Sequence, residues 1–408
     1  MSRQQPTPSV TRQAGLVQGI TLLLPSGLSI MAIVVLVPIL PLLLEHFKSL
    51  PGAAYRVPML LTIPAACLIF ASPIAGWAAD RFGRRQMLLA AMTIYAGVGM
   101  LPMLLDSYAA IFTSRVVLGC VEAVVLTVST TLIGDFFKGA ARDRWLGYQI
   151  GVASIFATSL IWVGGALSVY GWRGPFAVYG TAFAMMLGVA FFTWEPEKQP
   201  RSSILPLPKD ELQQPNSRPQ DFPWPRMIAL CALTLVASIL FYFVLIQLPL
   251  MLAAHGMPPS ATSGFWLAVV GFGVTIGTLL FGQMARISPP RLLVIAFLIL
   301  GLSFWAMSQA ASIKTLLIAA TINQIGAGIL MPTLLTWATS GLPDYFRGRG
   351  TGLWQGTFSL GQFVMPILVT LMAESLGGLN AATLGFAAGA LALAAGFAAY
   401  VGYVRLRA

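Results

Sequence analysis

Long apolar blocks, each about as long as a membrane is thick, dominate this sequence. Twelve of them follow one another, near residues 16–44, 57–79, 87–105, 109–134, 146–168, 175–194, 227–253, 263–284, 292–309, 313–337, 351–373 and 381–403. A helix of about 20 residues spans the hydrocarbon core of a bilayer and satisfies its own backbone hydrogen bonds there. A membrane barrel would show short segments of alternating polarity instead. The sequence therefore predicts an all-α membrane protein with twelve transmembrane helices.

The charged residues support a membrane protein and argue against a nucleic-acid-binding one. They make up 9% of the chain, whereas a soluble domain carries about 25%. The net charge of +11 comes from basic residues that lie between the apolar blocks rather than on one folded face. The three cysteines lie inside apolar blocks and the two histidines are far apart in sequence, so we expect no metal site and no cofactor.

The distribution of lysine and arginine predicts the orientation in the membrane. Twelve spans place both termini on one side, and that side carries 19 of the 24 basic residues, whereas the opposite side carries four. Cytoplasmic loops hold the excess of basic residues in membrane proteins. We therefore expect both termini in the cytoplasm, with the protein in the inner membrane of a bacterium.

A polar stretch at residues 195–226, rich in Pro, Gln and Ser, divides the chain into two halves of six spans. Such a composition is typical of a flexible linker. The flanking regions, 1–194 and 227–408, resemble each other weakly in their polar loops. Gly76 and Asp135 of the first half correspond to Gly282 and Asp344 of the second. The sequence thus predicts two pseudo-symmetric six-helix bundles with a substrate site at their interface.

The loop between spans 2 and 3 carries the most specific motif in the chain. It reads Gly76-Trp77-Ala78-Ala79-Asp80-Arg81-Phe82-Gly83-Arg84-Arg85. This resembles the GxxxDRxGRR signature loop of the major facilitator superfamily, with every defining position present. The resemblance implies that superfamily's fold and a transporter that works by alternating access.

The residues of this loop suggest a gate. Gly76 allows a second helix to approach closely, and Asp80 can face the positive end of a helix dipole. In the superfamily that helix is span 11, and the resemblance also implies that Arg84 pairs with Asp135 at the end of span 4. These contacts would hold the cytoplasmic side shut. In the second half Arg286 replaces Asp80, so we expect a weaker latch there.

Span 5 departs from the drug–proton antiporters of this superfamily. Those proteins are similar to this chain at the paired glycines, Gly164 and Gly165, but they carry Gly-Pro where Leu160 and Ile161 stand here. This departure weakens an assignment to the exporters and leaves the direction of transport open.

Two charged residues, Arg115 and Glu122, lie inside span 4. Such charges are costly in lipid and commonly functional. Their spacing of seven places them on one helix face, where both can line one cavity. In one interpretation Glu122 carries a proton and Arg115 tunes it or holds a carboxylate substrate. In the other, both are satisfied by neighbouring backbone and water and only pack the bundle. Glu45, at the outer end of span 1, is an alternative proton carrier.

In the superfamily spans 1, 4, 7 and 10 line the cavity, and spans 5, 8 and 11 contribute to it. The polar and aromatic residues that these spans offer here are Ser29, Tyr148, Gln149, Tyr242, Gln247, Asn323, Gln324, Trp354, Gln355 and Gln362. Their mixture suits a small amphipathic solute, aromatic or anionic.

We therefore expect a monomeric, proton-coupled transporter of a small organic solute, with export slightly favoured. A facilitative uniporter, or a proton symporter that takes up an organic acid, is the alternative. An enzyme would need clustered carboxylates or a nucleophile–base set, and the acidic residues are scattered singly.

Overall fold

The computed structural model describes residues 14–196, 222–284, 286–340 and 342–407, and these residues form helices joined by turns, with no β-strand among them. Twelve helical segments of this described part are long and apolar enough to cross a membrane. They are α1 (Leu16–His46), α2 (Ala53–Phe82), α3 (Arg84–Met103), α4 (Tyr108–Phe136), α5 (Gly139–Tyr170), α6 (Gly174–Phe192), α7 (Trp224–Ala254), α8 (Ala261–Gln283), α9 (Pro289–Ser308), α10 (Ile313–Thr339), α11 (Asp344–Leu376) and α12 (Leu379–Arg407). Each predicted span overlaps one of them, which confirms the all-α membrane fold.

The helices pack as two groups of six. In the first group α4 packs along α2 and α3, and α6 packs along α3. In the second group α12 packs along α9, α10 packs along α8 and α9, and α11 packs along α7. Residues 1–13 and most of the predicted linker, residues 197–221, lie outside the described residues, so the exact division of the chain into domains stays a prediction.

The two groups meet mainly through two helix pairs, α5 with α8 and α2 with α11, and α1 also contacts α7 and α8. We call the side that carries the first and last described residues the terminus side, and the opposite side the far side. Near the far side α5 and α8 touch backbone to backbone. A Cβ placed on Gly165 would lie 2.6 Å from the Gly264 Cα atom and 2.7 Å from the Ser260 carbonyl oxygen. The Thr370 hydroxyl of α11 donates a hydrogen bond of 3.2 Å to the Ala54 carbonyl oxygen of α2.

The same helix pairs separate toward the terminus side. Residues 18 apart share a helix face, because 18 residues make five turns of 3.6. Gly147 lies on the face of α5 that carries Gly165, and a Cβ there would meet nothing within 4 Å. On α11, Gly352 lies 18 residues before Thr370 and so shares its face, and a Cβ on Gly352 would also meet nothing within 4 Å. The space between the groups is therefore closed at the far side and open toward the terminus side.

Helix α1 is interrupted twice where it passes this space. Short 3₁₀ segments at Leu24–Gly27 and Val37–Ile39 each carry a proline in the first two positions. Proline lacks the N–H that would continue the α-helical ladder. The interruptions isolate a short helical piece, Leu28–Val34, and this piece forms part of the cavity wall described below.

Candidate functional site

A cavity of about 260 Å³ lies between the two helix groups. Helices α1, α2, α4 and α5 of the first group and α7, α8, α10 and α11 of the second contribute to its wall. Most of the wall is apolar. The residues with polar side chains in it are Ser29, Glu122, Ser154, Thr158, Tyr242, Thr275, Gln324 and Gln362. A mostly apolar cavity with a few polar groups is typical of small-molecule sites.

Glu122 is the acidic residue of this wall. It lies near the middle of α4, its residue is 2% exposed, and its Oε2 atom has no hydrogen-bond partner among the described residues. Burying a carboxylate without a partner is strongly unfavourable unless it is protonated or paired with a cation. The cavity therefore contains a group whose environment demands a proton or a positively charged ligand.

Arg115 lies on the same helix but outside the cavity wall. It is 0% exposed, its Nη1 atom donates to the Tyr179 hydroxyl at 3.0 Å, and its Nη2 atom donates to the Gly99 carbonyl oxygen at 3.0 Å. The guanidinium carbon lies 5.0 Å from the centre of the Phe176 ring and 4.9 Å from that of Tyr179. The structure thus places Arg115 as a link from α4 to α3 and α6. The interpretation that both charges line one cavity is not supported by this geometry.

Glu45, the alternative proton carrier, lies at the far-side end of α1, away from the cavity wall. Its side chain is 71% exposed and it accepts a hydrogen bond of 2.6 Å from Lys48. This contact raises the pKa of the Lys48 ammonium. An exposed, paired carboxylate at the surface is a weaker candidate for coupling than a buried, unpaired one in the cavity.

The predicted cavity residues fall into two sets. Four of them line the cavity: Ser29, Tyr242, Gln324 and Gln362. The other six lie outside its wall: Tyr148, Gln149, Gln247, Asn323, Trp354 and Gln355.

The described contacts and exposures show the surroundings of several residues that lie outside the cavity wall. Asn323 donates to the Ser303 hydroxyl at 2.9 Å, and Gln149 donates to the Thr130 hydroxyl at 3.2 Å. Trp354 is buried and Gln247 is 4% exposed, whereas Tyr148 is 55% exposed and Gln355 is exposed. Of the adjacent residues Asn323 and Gln324, Asn323 turns toward α9 and Gln324 lines the cavity.

Sequence reasoning missed the polar residues that α5 and α8 contribute to the cavity, which are Ser154, Thr158 and Thr275. A signal was present for α5, because Ser154 and Thr158 are four residues apart and Ile161 of the wall follows three later, so all share one helix face. A search for helical periodicity of polar residues within the apolar span would have found this face.

The predicted gate residues gather at the terminus-side ends of α2, α3 and α4. The Arg84 guanidinium donates to Asp135 Oδ1 at 2.6 Å and to Asp80 Oδ1 at 2.9 Å. Gly83 has a φ angle of +101°, which favours glycine where the chain turns from α2 into α3. In this conformation of the protein, which is open toward the terminus side, Asp80 is paired with Arg84.

The remaining gate residues make contacts within the first helix group. Arg81 stacks over the Trp77 ring, with its guanidinium carbon 5.6 Å from the ring centre. Arg85 donates to the Ala190 carbonyl oxygen of α6 at 2.6 Å. Gly76 lies against α4, where a Cβ would meet the Thr127 methyl group at 3.9 Å. Their role in gating stays a prediction.

Glu195, just after α6, is a further charged residue of this region that sequence reasoning missed. Its carboxylate accepts hydrogen bonds from the backbone N–H groups of Arg84 at 2.6 Å and of Arg85 at 2.9 Å. These are the first two residues of α3, whose N–H groups have no partner inside the helix and whose dipole favours an anion. The sequence did contain an indication of this contact, because Glu195 directly follows the sixth apolar block and is therefore on the same side of the membrane as the loop between spans 2 and 3.

Twelve spanning helices in two groups around a shared cavity define a multi-pass membrane transporter. The sequence profile described as Major Facilitator Superfamily matches residues 22–291 and 228–407. The chain belongs to this superfamily, and its signature loop and fold agree with that assignment. Transporters of this superfamily carry small-molecule substrates, and the family assignment points to a transporter rather than an enzyme.

Curated relatives agree with this family, and solved structures show the same fold. The chain is 31% identical over 167 residues to the efflux pump dotC of Dothistroma septosporum, covering 41% of this chain and 28% of that protein. It is 24% identical over 351 residues to the class D tetracycline resistance protein of Salmonella ordonez, covering 84% of this chain and 86% of that protein. A bacterial homolog of the human lysosomal transporter Spinster, in an inward-facing and unoccupied conformation, superposes with a TM-score of 0.75 at 17% identity, covering 94% of this chain and 96% of that chain.

Proposed function

We propose that this transporter exports a small organic solute in exchange for protons, with Glu122 as the proton carrier. The observation that carries the proposal is the Glu122 carboxylate, which is buried, lacks a partner at Oε2 among the described residues, and faces the cavity between the two helix groups. An intramembrane ionisable residue in such a place is a functional group by default.

The direction of transport rests on the relatives. The similarity to proteins named as an efflux pump and as a tetracycline resistance protein favours export. The excess of basic residues on the terminus side supports a cytoplasmic location for both termini in a bacterial inner membrane. With this orientation the cavity is open to the cytoplasm, from which an exported solute would enter it. The proposal also includes that the protein works as a monomer.

The second part of the proposal concerns the gate. Arg84 holds Asp80 and Asp135 together on the terminus side of the first helix group. When the two groups tilt and the terminus side closes, Asp80 would exchange this contact for the N-terminal end of α11, whose dipole favours an anion. The pair between Arg84 and Asp135 would keep α3 and α4 in register during the movement.

Proteoliposomes that contain a trapped pH-sensitive dye test the exchange of protons. Tetracycline, 4-phenylbutylamine and 4-phenylbutyrate are added separately to vesicles with an imposed pH gradient. We expect at least one of them to change the internal pH with the parent protein and not with Glu122→Gln. Flux of solute without movement of protons would indicate a facilitative uniporter, and an unchanged response of Glu122→Gln would remove this residue from the mechanism.

A further inference from the structure

The wall of the cavity contains an acidic side chain and no basic side chain among its described lining residues. Of these described residues Glu122 is the only one with an acidic or basic side chain of the Asp, Glu, Lys, Arg or His type. Arg115 attracts Glu122 through space, but it lies outside the cavity wall, fully buried, with its terminal nitrogens donating to Tyr179 and Gly99. An anionic ligand in this cavity would therefore touch the Glu122 carboxyl group and no basic side chain, whereas a cationic ligand could pair with that group directly.

The second helix group contributes aromatic rings to the cavity wall. Phe241 and Tyr242 of α7 line the cavity, with ring centres 5.0 Å apart at an interplanar angle of 76°. Both rings are held from behind by Phe358 of α11, at 5.7 and 5.3 Å. Rings that are fixed in this way attract cations to their faces. Two independent features, one carboxylate and one aromatic wall, thus favour the same sign of ligand charge.

The remaining polar groups and the size of the cavity limit the ligand further. Gln324 and Gln362 supply amides, and Ser29 supplies a hydroxyl with no hydrogen-bond partner among the described residues. The volume of about 260 Å³ is slightly below the usual range of roughly 300–1,000 Å³ for ligand pockets. A compact molecule with one ring system therefore fits better than a large one.

We propose that the cavity binds a small organic cation, a protonated amine on a ring-bearing apolar body, with the ammonium group at Glu122 and the body against Phe241 and Tyr242. The inference rests on the proposed function in one respect, that this cavity is the transport site. It gives the ligand the opposite charge to the carboxylate substrate that Arg115 holds in one interpretation of the sequence.

Equilibrium binding to purified protein in lipid nanodiscs, without any gradient, tests this inference. Three probes of similar size and shape are titrated: 4-phenylbutylamine as the cation, 4-phenylbutyrate as the anion and 4-phenylbutan-1-ol as the neutral compound. Empty nanodiscs correct for partition into lipid. We expect the amine to bind at least tenfold more tightly than the carboxylate, with the alcohol between them.

Two variants assign the preference to the cavity. Glu122→Gln keeps the shape of the side chain and removes its charge, so it should erase the preference for the amine while the affinity for the alcohol stays within twofold. That retained affinity also shows that the variant is folded. Glu374→Gln changes an exposed acid at the end of α11 and should leave the preference intact.

The outcomes separate this inference from the proposed function. Binding of the carboxylate as tight as that of the amine, no detectable binding of the amine, or a preference that survives Glu122→Gln would overturn the inference. Proton exchange driven by 4-phenylbutyrate in the vesicle assay would overturn it as well, while leaving the proposed function in place. Selective, Glu122-dependent binding of the amine without any proton movement would support the inference and remove the proton coupling.

Discussion

The contact between Gly165 and Gly264 makes a sharp prediction about the balance between the two states of the transporter. A Cβ on Gly165 would lie 2.6 Å from the Gly264 Cα atom and 3.0 Å from its amide nitrogen. Carbon atoms in van der Waals contact are about 3.5–4.0 Å apart, so the methyl group of Gly165→Ala requires α5 and α8 to separate by about 1 Å. Because the obstructing atoms are backbone on both sides, no side chain can rotate away to make room.

The cost of this overlap falls on the state that is closed at the far side. Overpacking by one methyl group typically costs about 1–3 kcal/mol. The penalty disappears when α5 and α8 move apart at the far side, so the ratio of far-side-open to far-side-closed molecules should rise by about 5-fold to 150-fold. Gly151→Ala is a matched control, because Gly151 lies on nearly the same face of α5 and a Cβ there would meet nothing within 4 Å.

The assay is the accessibility of the cavity from the far side. A cysteine is introduced at Thr275 in the cavity wall, in a background in which the three native cysteines are replaced by serine. A membrane-impermeant maleimide is then added to intact cells, whose outer surface is the far side in the proposed orientation. Labelling should be faster with Gly165→Ala than with Gly151→Ala or the parent. Equal rates in all three would refute the argument that this glycine contact closes the far side.

Two predictions concern stability. Arg115→Met removes both hydrogen bonds of the guanidinium group and leaves the buried Tyr179 hydroxyl without its donor. We expect the free energy of unfolding to fall by about 1–3 kcal/mol, with thermal unfolding in detergent at a lower temperature. Arg291→Met, at an exposed position, is the control and should have little effect. Glu195→Ala removes the carboxylate that accepts hydrogen bonds from the first N–H groups of α3 and should lower the free energy of unfolding by about 0.5–2 kcal/mol. Faster amide hydrogen exchange confined to the start of α3 would support this prediction. Exchange there no faster than in Glu374→Ala would contradict it.

Much of the fold was predictable because the bilayer constrains length and composition so strongly. Every predicted span overlaps a helix, and the contact between Arg84 and Asp135, which the family resemblance implies, is present at 2.6 Å. These are properties of whole segments or of a short motif in a loop. Neither depends on how a helix is rotated about its own axis.

The lining of the cavity could not be predicted equally well, because it depends on that rotation. The spans are apolar on nearly all faces, so their sequences carry little information about which face is turned inward. Asn323 and Gln324 illustrate the difficulty, since both are polar and buried, but one bonds to Ser303 of α9 and the other lines the cavity. Glu195 was missed for a different reason, since its partners Arg84 and Arg85 are about 110 residues away in sequence.

The different environments of Arg115 and Glu122 follow from what packs against each part of α4. Seven residues are nearly two helical turns, so both side chains leave α4 on the same face, about 10 Å apart along the axis. Arg115 lies in the half of α4 nearer the far side, where α3 and α6 of the same group supply its partners. Glu122 lies at the middle, where the groups begin to part and the cavity opens. The same helix face is therefore packed at one charge and borders the cavity at the other, which fits a structural role for Arg115 and agrees with the proposed role of Glu122.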